Sequence, residues 1–398
     1  MTEYAREVPR GRKLSGRPRI AHVCTVDLSL RYLLINQLKY LMAHGYDVVG
    51  ISNPGPDVAF LEAQGISHLP VRMTRAFSPT ADLRALQDLE RVFRRERFDL
   101  VHTHNPKPGL LGQLAARTAG IPRVVNTLHG FYFHDLMPAG RRRFYILMEQ
   151  IAASCSDAIL SQNPEDLETA VREHICRRED IEHLGNGIDL DRFDARRLDA
   201  GRTSALRASL GIAEGAPVVG FVGRLVEEKG ILDLCEAMRV VRTRVPAATL
   251  LVIGPTDAEK ADALTPESLQ ARYDLAEGVV YAGLRQDMPE LYGLMDVFVL
   301  PSWREGFPRS PMEAAAMGKP VVVTDIRGCR ETVTAGLTGL VTSVRDAKAL
   351  AAAILEVFSE PARARAWGRA GRELAERKFD ERLVFEKVAA TYRRLGVH

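Results

Sequence analysis

The segment VFVLPSWREGFPRSPMEAAAMGKPVVVT, residues 297–324, decides the fold of this chain. It reads as an apolar strand, a loop, a short helix and a second apolar strand. Continuous apolar strands are typical of a parallel sheet that is covered on both faces. The segment is therefore one βαβ unit, and a parallel α/β fold is expected around it.

Similar units extend in both directions along the chain. In the first half, strands are predicted at residues 20–26, 48–51, 100–102, 124–126 and near Ile159, with a helix over 33–44. In the second half, strands are predicted at residues 218–222, 250–253, 279–281, 297–300 and 321–324, with a helix over 231–241. Because 398 residues exceed the size at which one core keeps growing, two domains are predicted, 1–200 and 201–380, with a linker near 190–204.

Two carboxylates, Glu305 and Glu313, lie across the predicted junction between loop and helix. Ser310 is the expected N-cap and Pro311 the first helical residue, so the helix N-terminus offers N–H groups and partial positive charge to a phosphate. Carboxylates that suit a polyol, next to a phosphate site, suggest a nucleotide sugar. The alternative for Glu313 is a structural capping box with Ser310, and it stays open.

The segment GRLVEEKG, residues 223–230, follows a predicted strand and opens a helix. Gly223 lets the backbone approach a ligand, while Arg224 and Lys229 supply a planar fork and a point charge for a diphosphate. The alternative is that both cations are solvated and pair with Glu227 and Glu228.

Composition bounds the class of protein. The chain is 46% hydrophobic and 26% charged, as expected for ordinary globular domains. Its net charge of +3 divides into +4 over residues 1–20 and −1 elsewhere, so a nucleic-acid partner is not expected. Residues 1–18 read as a flexible basic tail without the apolar core of a secretory signal. Five scattered cysteines without a CxxC pair indicate free thiols and a cytoplasmic protein.

Three motifs together resemble the family 4 glycosyltransferases. GRLVEEKG (223–230) is similar to the family's diphosphate-binding run, EGFPRSPME (305–313) to its signature of two glutamates, and NTLHG (126–130) to its active-site histidine segment. The resemblance covers nearly the whole chain. With HTHNPKPGLLG (102–112), it is strongest to bacterial enzymes that build surface polysaccharides or lipid-linked oligosaccharides.

The resemblance implies a GT-B fold, in which two Rossmann-like doubly wound domains face a cleft. The first domain would bind the acceptor and the second the nucleotide-sugar donor, and the last helix, 381–398, would pack back on the first. The implied catalytic residues are His129, Arg224, Lys229 and Glu305. The implied donor-binding residues are Gly223, Arg224, Lys229, Gly254, Gly283, Leu284, Gly306, Phe307, Pro308, Arg309, Ser310 and Glu313.

The same resemblance assigns roles within that set. The loop around Gly283 would hold the base, Glu313 the ribose, and Arg224 with Lys229 the diphosphate. Glu305 and backbone N–H groups of 306–309 would contact the donor sugar. Pro308 departs from the family's usual E-G-F-G pattern and removes one N–H donor, which puts the sugar contact at that position in question.

No metal or other cofactor is expected. His102 and His104 form an H-x-H pair, but no carboxylate or cysteine lies at ligand spacing, so contact with acceptor or sugar is the preferred interpretation. Asp189 and Asp191 spell D-x-D, the metal signature of a different glycosyltransferase architecture, and are interpreted as capping and linker residues.

The expected function is retaining transfer of a sugar from a nucleotide sugar, with UDP as the expected nucleotide, to a glycan, polyprenyl-linked or small-molecule hydroxyl. A GT-B-like nucleotide-sugar epimerase and a glycosyltransferase of a secondary metabolite remain as alternatives. The stretch 131–143, with Phe131, Tyr132, Phe133, Leu136 and Met137 beside Arg141, Arg142 and Arg143, fits two interpretations. It is either a peripheral contact with an anionic membrane or a core-facing helix with a solvated basic end.

Overall fold

The computed structural model describes residues 16–74, 77–104, 106–133, 137–256, 262–273 and 278–398. Most of the predicted basic tail, 1–18, and Leu136 of the stretch 131–143 lie outside the described residues. The chain forms two units, Met1–Gly185 with Val384–His398, and Asn186–Leu383. They are called the first and second units below.

The first unit contains a parallel sheet of short, mostly buried strands. In the described residues they are β1 Arg19–Val26, β2 Asp47–Asn53, β3 Ser67–Pro70, β4 Leu100–His104, β5 Arg123–Leu128, β6 Ala158–Ser161 and β7 Ile181–His183. Its helices are α1 Asp27–Ser29, α2 Ile35–Ala43, α3 Val58–Ala63, α4 Pro79–Glu96, α5 Pro106–Thr118, α6 Ala139–Ala153 and α7 Pro164–Arg172, with a π-helical turn at Leu30–Leu34 and a 3-10 turn at Arg178–Asp180.

The second unit repeats the alternation of strand and helix. Its described strands are β8 Val218–Val222, β9 Thr249–Ile253, β10 Val279–Gly283, β11 Val297–Leu300, β12 Val321–Thr324 and β13 Gly339–Thr342. The helices are α8 Ala200–Ser209, α9 Ile231–Arg244, α10 Pro266–Tyr273, α11 Met288–Leu294, α12 Arg309–Ala316, α13 Ala347–Ser359 and α14 Pro361–Lys378, with 3-10 turns at Ala195–Arg197, Glu227–Lys229 and Arg330–Thr332. The last helix, α15 Glu381–Arg394, begins in this unit, and its residues from Val384 belong to the first.

The two sheets have the same strand order, except that the first carries one more edge strand, β7. The first runs β3-β2-β1-β4-β5-β6-β7 and the second β10-β9-β8-β11-β12-β13, and the strand pairs are parallel. The order reverses between β1 and β4 and between β8 and β11. Open parallel sheets bind ligands at such a switch point, beyond the carboxyl ends of the strands. The expected α/β class with two Rossmann-like domains is confirmed.

Each unit has its own hydrophobic core, because parallel strands are covered by helices on both faces. In the second unit, β11 and the valines of β12 are fully buried and pack against Met312 of α12 and Met238 of α9. In the first unit, residues 384–398 contribute Val388 and Tyr392 to the core around β1.

The second unit begins at Asn186, whereas the sequence placed the boundary at residue 200. The boundary lies earlier because the apolar side chains of Ile188, Leu190 and Phe193 are buried in the core of the second unit. Three strands that the sequence did not predict, β3, β7 and β13, are edge strands that pair on one side. Within the described residues, no helix combines the length and apolar character needed to cross a membrane.

Candidate active site

Three loops meet at the carboxyl ends of β8, β9 and β11. Gly230, which precedes α9, has φ of 70°, and a Cβ there would lie 1.9 Å from the carbonyl oxygen of Pro301. Gly254, with φ of 144°, would place a Cβ 1.9 Å from the carbonyl oxygen of Gly223. Only glycine fits these left-handed, tightly packed positions. The loops that carry the predicted diphosphate and sugar residues are therefore held against one another by backbone contact.

Lys229 and Glu305 form a short ion pair between two of these loops. Lys229 Nζ lies 2.5 Å from Glu305 Oε1, and the same oxygen accepts a hydrogen bond of 2.7 Å from the Ser302 hydroxyl. Both side chains are mostly buried, with 17% and 10% exposed. The structure thus pairs two residues that lie 76 positions apart in the sequence. Separate motifs had assigned Lys229 to the diphosphate and Glu305 to the donor sugar.

Arg224 lies beside this pair and is more exposed. Its guanidinium is 3.4 Å from Glu228, and the second oxygen of Glu228 accepts from Arg304 at 3.1 Å. The alternative interpretation of this segment named Glu228 as a partner, and Arg224 does pair with it, whereas Lys229 pairs with Glu305 instead. Arg304 was not singled out from the sequence, because its approach to Glu228 brings two distant loops together. Arg224, Arg304 and Lys229 thus bring three cations to these loops, which suits an anionic ligand.

Helix α12 begins at Arg309 rather than at Pro311. Pro308 is the N-cap, with φ of −70° and ψ of 136°, and no side chain caps the helix. The predicted capping box of Ser310 and Glu313 is wrong, because Ser310 already lies inside the first turn. Since prolines carry no N–H, Arg309 and Ser310 supply the first N–H groups of this helix, while Pro308 and Pro311 supply none.

Glu313 has a partner that the sequence did not reveal. The hydroxyl of Tyr292, on α11, donates to Glu313 Oε2 at 2.7 Å and also lies 3.1 Å from the Ser310 carbonyl oxygen. Burial raises the pKa of Glu313, while the hydrogen bond from Tyr292 opposes that rise. Burial also raises the pKa of Tyr292 well above its ordinary value, so the phenol keeps its proton. Glu313 is therefore held as an oriented hydrogen-bond acceptor.

The remaining predicted donor residues line neighbouring loops of the second unit. Gly283 is the last residue of β10, and its carbonyl accepts a backbone hydrogen bond from Gly254 at 2.9 Å. The next residue, Leu284, is 60% exposed. Phe307 and Arg309 are anchored by residues that precede the predicted boundary. The Phe307 carbonyl accepts from Asn186 at 2.8 Å, and the Arg309 guanidinium donates to the Gly187 carbonyl at 2.8 Å.

In the first unit, His129 directly follows β5 and is partly exposed. Its Nδ1 lies 3.1 Å from Gln162 Oε1, and its Nε2 lies 3.3 Å from His104 Nδ1. His102 and His104 are almost fully buried, and each of their ring nitrogens has a hydrogen-bond partner within the unit. Contact of this pair with acceptor or sugar stays a prediction, and it would require displacement of one of these hydrogen bonds.

The stretch 131–143, for which the sequence left a membrane contact and a core-facing helix open, contains both buried and exposed side chains. Phe131 and Phe133 are 3% and 2% exposed, so they belong to the core of the first unit. Tyr132 is 45% exposed, and Arg142 pairs with Glu173 at 2.9 Å. The membrane interpretation therefore cannot rest on the aromatic run itself.

Comparison with known proteins identifies the class. Residues 203–374 match the family described as Glycosyl transferases group 1, and residues 35–187 match the Glycosyl transferase 4-like domain. The UDP-Gal:alpha-D-GlcNAc-diphosphoundecaprenol alpha-1,3-galactosyltransferase of Escherichia coli is 29% identical over 86% of this chain and 88% of that protein. The capsular polysaccharide biosynthesis glycosyltransferase CapM of Staphylococcus aureus is 28% identical over 94% of this chain and 96% of that protein.

A solved structure agrees with the fold. HepE of Anabaena, in complex with UDP and glucose, has a TM-score of 0.81 at 20% identity, covering 95% of this chain and 100% of that one. The chain belongs to the glycosyltransferases with a glycosyl transferase 4-like and a group 1 domain, and the predicted GT-B fold is confirmed.

Proposed function

We propose that this glycosyltransferase transfers a sugar, with retention, from a UDP-sugar to a hydroxyl of a glycan or polyprenyl-linked acceptor in bacterial polysaccharide or glycoconjugate synthesis. The names of two relatives support it, one a UDP-Gal-dependent enzyme acting on a diphosphoundecaprenol and one a capsular polysaccharide enzyme. HepE, which shares the fold, was solved with UDP and glucose.

The observation that carries the proposal is the pair of Lys229 and Glu305 at the switch point of the second sheet. Lys229 and Arg224 would neutralise the diphosphate as it departs, with the first N–H groups of α12 assisting. Glu305, fixed by Ser302, would orient a hydroxyl of the donor sugar. The proposal needs no metal ion, because these cations supply the positive charge.

In the proposed reaction, the bond between the anomeric carbon and the diphosphate oxygen breaks as the acceptor oxygen bonds to the same carbon. The electron pair of the broken bond leaves with UDP, and the acceptor's proton passes to the departing phosphate. The protein contributes orientation and electrostatic stabilisation rather than a nucleophile. His129 would stabilise the donor sugar through a hydrogen bond.

Calorimetry and thermal shift against UDP, GDP, ADP and their common sugar conjugates, with and without magnesium, test the donor site. We expect one nucleotide to stabilise the protein regardless of magnesium, and Arg224→Ala and Glu313→Gln to lose that response. Arg239→Ala, an exposed arginine of α9 that pairs with Glu236, is the matched control. Absence of any nucleotide response would contradict the proposed function.

Product analysis then separates the alternatives. Anomeric NMR of the product should show the configuration of the donor retained. A nucleotide sugar that is epimerised without any acceptor would instead favour the epimerase, and inversion at the anomeric carbon would overturn the retaining mechanism.

A lipid-linked acceptor would require approach to a membrane, and one surface of the first unit suits this. Phe77, Phe144 and Leu147 are 67%, 43% and 49% exposed, and the rings of Phe77 and Phe144 lie 6.1 Å apart. Arg141 and Arg143, both exposed, lie on the same helix, α6. Exposed aromatic and aliphatic side chains beside cations suit an anionic lipid surface.

Sedimentation with vesicles tests this association. The protein should sediment with phosphatidylglycerol vesicles and not with phosphatidylcholine vesicles, and Phe144→Ser with Leu147→Ser should weaken sedimentation. Leu337→Ser, which changes a leucine of the second unit that is 56% exposed, should not. Equal sedimentation of all variants would remove the proposed membrane surface and leave the donor chemistry untouched.

A further inference from the structure

A continuous chain of hydrogen bonds, most of them buried, runs through the first unit and includes His129. We call it the histidine network; in order, its members are Thr127, His102, Tyr392, His22, His104, His129 and Gln162. Parallel pairing explains how it forms, since His22 of β1 is in register with His102 of β4. His104 lies two residues further along β4 and therefore on the same face of the sheet.

In the half of the network next to His129, the hydrogen bonds join ring nitrogens of three histidines. Nε2 of His129 lies 3.3 Å from Nδ1 of His104, and Nε2 of His104 lies 3.0 Å from Nδ1 of His22. The other end of the His129 ring is held by Gln162, whose Oε1 lies 3.1 Å from Nδ1. His129 is thus held at both ring nitrogens.

The remaining half is anchored by two hydroxyl groups. The Tyr392 hydroxyl lies 2.6 Å from Nδ1 of His102 and 3.4 Å from Nε2 of His22. The Thr127 hydroxyl lies 2.7 Å from Nε2 of His102. His22, His102 and Tyr392 are each fully buried, so water does not compete for these bonds.

The positions of the protons follow from one end of the chain. Gln162 presents an amide oxygen, which only accepts, so Nδ1 of His129 carries the proton and donates it. Nε2 of His129 is then an acceptor, and it must receive a hydrogen bond from Nδ1–H of His104. In turn, Nε2 of His104 accepts from Nδ1–H of His22.

The same logic continues to the far end. Nε2 of His22 accepts from the Tyr392 hydroxyl, whose oxygen accepts from Nδ1–H of His102. Nε2 of His102 accepts from the Thr127 hydroxyl. Each imidazole then carries a single proton, and every hydrogen bond of the chain points in one direction.

Burial favours this neutral arrangement, since a charged imidazole loses its hydration there. It lowers the pKa of His22 to about 3 and the pKa of His102 and His104 well below the ordinary value.

We propose that the histidine network holds His129 in the tautomer protonated at Nδ1 and fixes its ring plane, which makes His104, His22 and Tyr392 positioning residues for sugar transfer. His129 can then donate to a sugar hydroxyl only from Nδ1, in exchange for its hydrogen bond to Gln162, because Nε2 is occupied by His104. The proposal deepens the proposed function and rests on it for the role of His129.

A metal site is the main competitor for part of this cluster. Ligand atoms of His22, His102 and His104 all lie within 4.8 Å of one another. Yet hydrogen bonds already engage both ring nitrogens of each histidine, and an ion would have to displace some of them. The network accounts for the cluster without an ion.

Nitrogen NMR of the full-length protein labelled at histidine tests the tautomer directly. In the wild type at pH 7, we expect His129 to be protonated at Nδ1 and unprotonated at Nε2. In Tyr392→Phe, Nε2 of His22 loses its hydrogen-bond donor and only Gln162 still favours protonation of His129 at Nδ1, so the His129 signal should shift toward a mixture of tautomers. A His129 protonated at Nε2 in the wild type, or left unchanged by Tyr392→Phe, would overturn the proposal.

Activity then tests positioning. Once a donor is known, Tyr392→Phe should lower kcat about tenfold, which corresponds to one hydrogen bond, with little change in donor KM. His104→Gln keeps an N–H that can reach His129 and should retain more activity than His104→Ala. An unchanged kcat in Tyr392→Phe would overturn the positioning role.

Tyr46→Phe is the matched control. Tyr46 is buried against Tyr392, and its hydroxyl donates to the Val397 carbonyl at 3.3 Å, outside the network. It should lose similar stability yet leave the tautomer and kcat unchanged. Equal effects of the two variants on the tautomer and kcat would show a merely structural role and overturn the proposal.

Addition of zinc to the wild type tests the alternative of a metal site. If zinc binds stoichiometrically and shifts the NMR signals of His22, His102 and His104 together, the cluster is a metal site and not a hydrogen-bond network. A protein that transfers no sugar would remove the proposed function, whereas the NMR result would still decide the proton arrangement.

Discussion

The two units share one strand order but use the switch point of the sheet in opposite ways. In the first unit, His22 and His102 are polar side chains inside the central strands β1 and β4, and both are fully buried. In the second unit, the corresponding strands β8 and β11 are apolar, and the charged pair of Lys229 and Glu305 lies in the loops beyond them.

The difference shows how one architecture supports two kinds of polar chemistry. Neutral imidazoles satisfy one another by hydrogen bonds and tolerate a dry sheet interior, provided they stay uncharged. Lys229 and Glu305 form their ion pair in the loops beyond the strands rather than inside the sheet. The comparison therefore predicts that the first unit loses stability at low pH. It also predicts that the second unit loses activity when a charged side chain such as Lys229 is removed.

The largest expected effect is acid destabilisation of the first unit. The folded-state pKa of His22, His102 and His104 is lowered, so the unfolded chain binds more protons below its pKa of about 6.5. Their contribution is complete above pH 6.5 and falls as pH falls toward 3. Between pH 7 and pH 5 we expect a loss of about 2 kcal/mol for each histidine.

Urea unfolding at these two pH values measures this loss. Both tryptophans, Trp303 and Trp367, lie in the second unit, so their fluorescence follows that unit, while far-UV circular dichroism follows both. The dichroism transition should move to lower urea at pH 5 far more than the fluorescence transition. His44→Gln, at an exposed histidine, should leave that shift intact, and His22→Gln should reduce it; equal shifts in both units would break the comparison.

Loss of charge in the second unit comes next. Lys229→Ala removes the cation expected to meet the diphosphate, and we expect kcat/KM to fall about 10²- to 10³-fold. Lys348→Ala, an exposed lysine of α13, should have no effect. Since Glu305 is left mostly buried without Lys229, stability should also fall, and adding Glu305→Gln should restore stability but not activity. Steady-state kinetics and urea unfolding measure the two effects separately, and recovered activity in the double variant would contradict the assignment.

The sequence predicted the central strands better than the polar contacts. Apolar runs such as Val297–Leu300 carry their own signal, because a strand buried on both faces must be apolar throughout. The edge strands Ser67–Pro70 and Ile181–His183 lack such a run and were missed. An edge strand needs fewer apolar residues, so its pattern resembles that of a loop.

Site residues could be predicted where they lie together in one short segment of the sequence. They could not be predicted where the fold brings them together from distant segments. Gly223 to Gly230 and Glu305 were recognised as single segments. Tyr292, which holds Glu313, and His22, which holds His104, belong to other segments, and only the register of the sheets and helices brings them close. The error at Ser310 has a local cause, since Pro308 starts the helix earlier than the apparent capping box suggested.

A smaller effect tests the contact between loops. Gly230→Ala places a Cβ against the Pro301 carbonyl and should cost about 3 kcal/mol of unfolding free energy, combining left-handed strain with the clash. Gly211→Ala is matched in backbone angle, with φ of 68° against 70°, but a Cβ there meets nothing within 4 Å. It should cost about 1 kcal/mol. Equal costs in urea unfolding would mean that the approach of these loops is not tight.

The smallest effect concerns the hydrogen bond that holds Glu313. Tyr292→Phe removes a hydroxyl that donates to Glu313 at 2.7 Å, and we expect a loss of about 1 kcal/mol, or about fivefold in nucleotide affinity. Tyr281→Phe in the same unit is the matched control, because its buried hydroxyl has no hydrogen-bond partner among the described residues. Calorimetry with UDP should separate the two. If both variants bind UDP with the same affinity, Glu313 does not depend on Tyr292 for its orientation. Glu313 in the second unit would then need fewer supporting hydrogen bonds than His129 in the first.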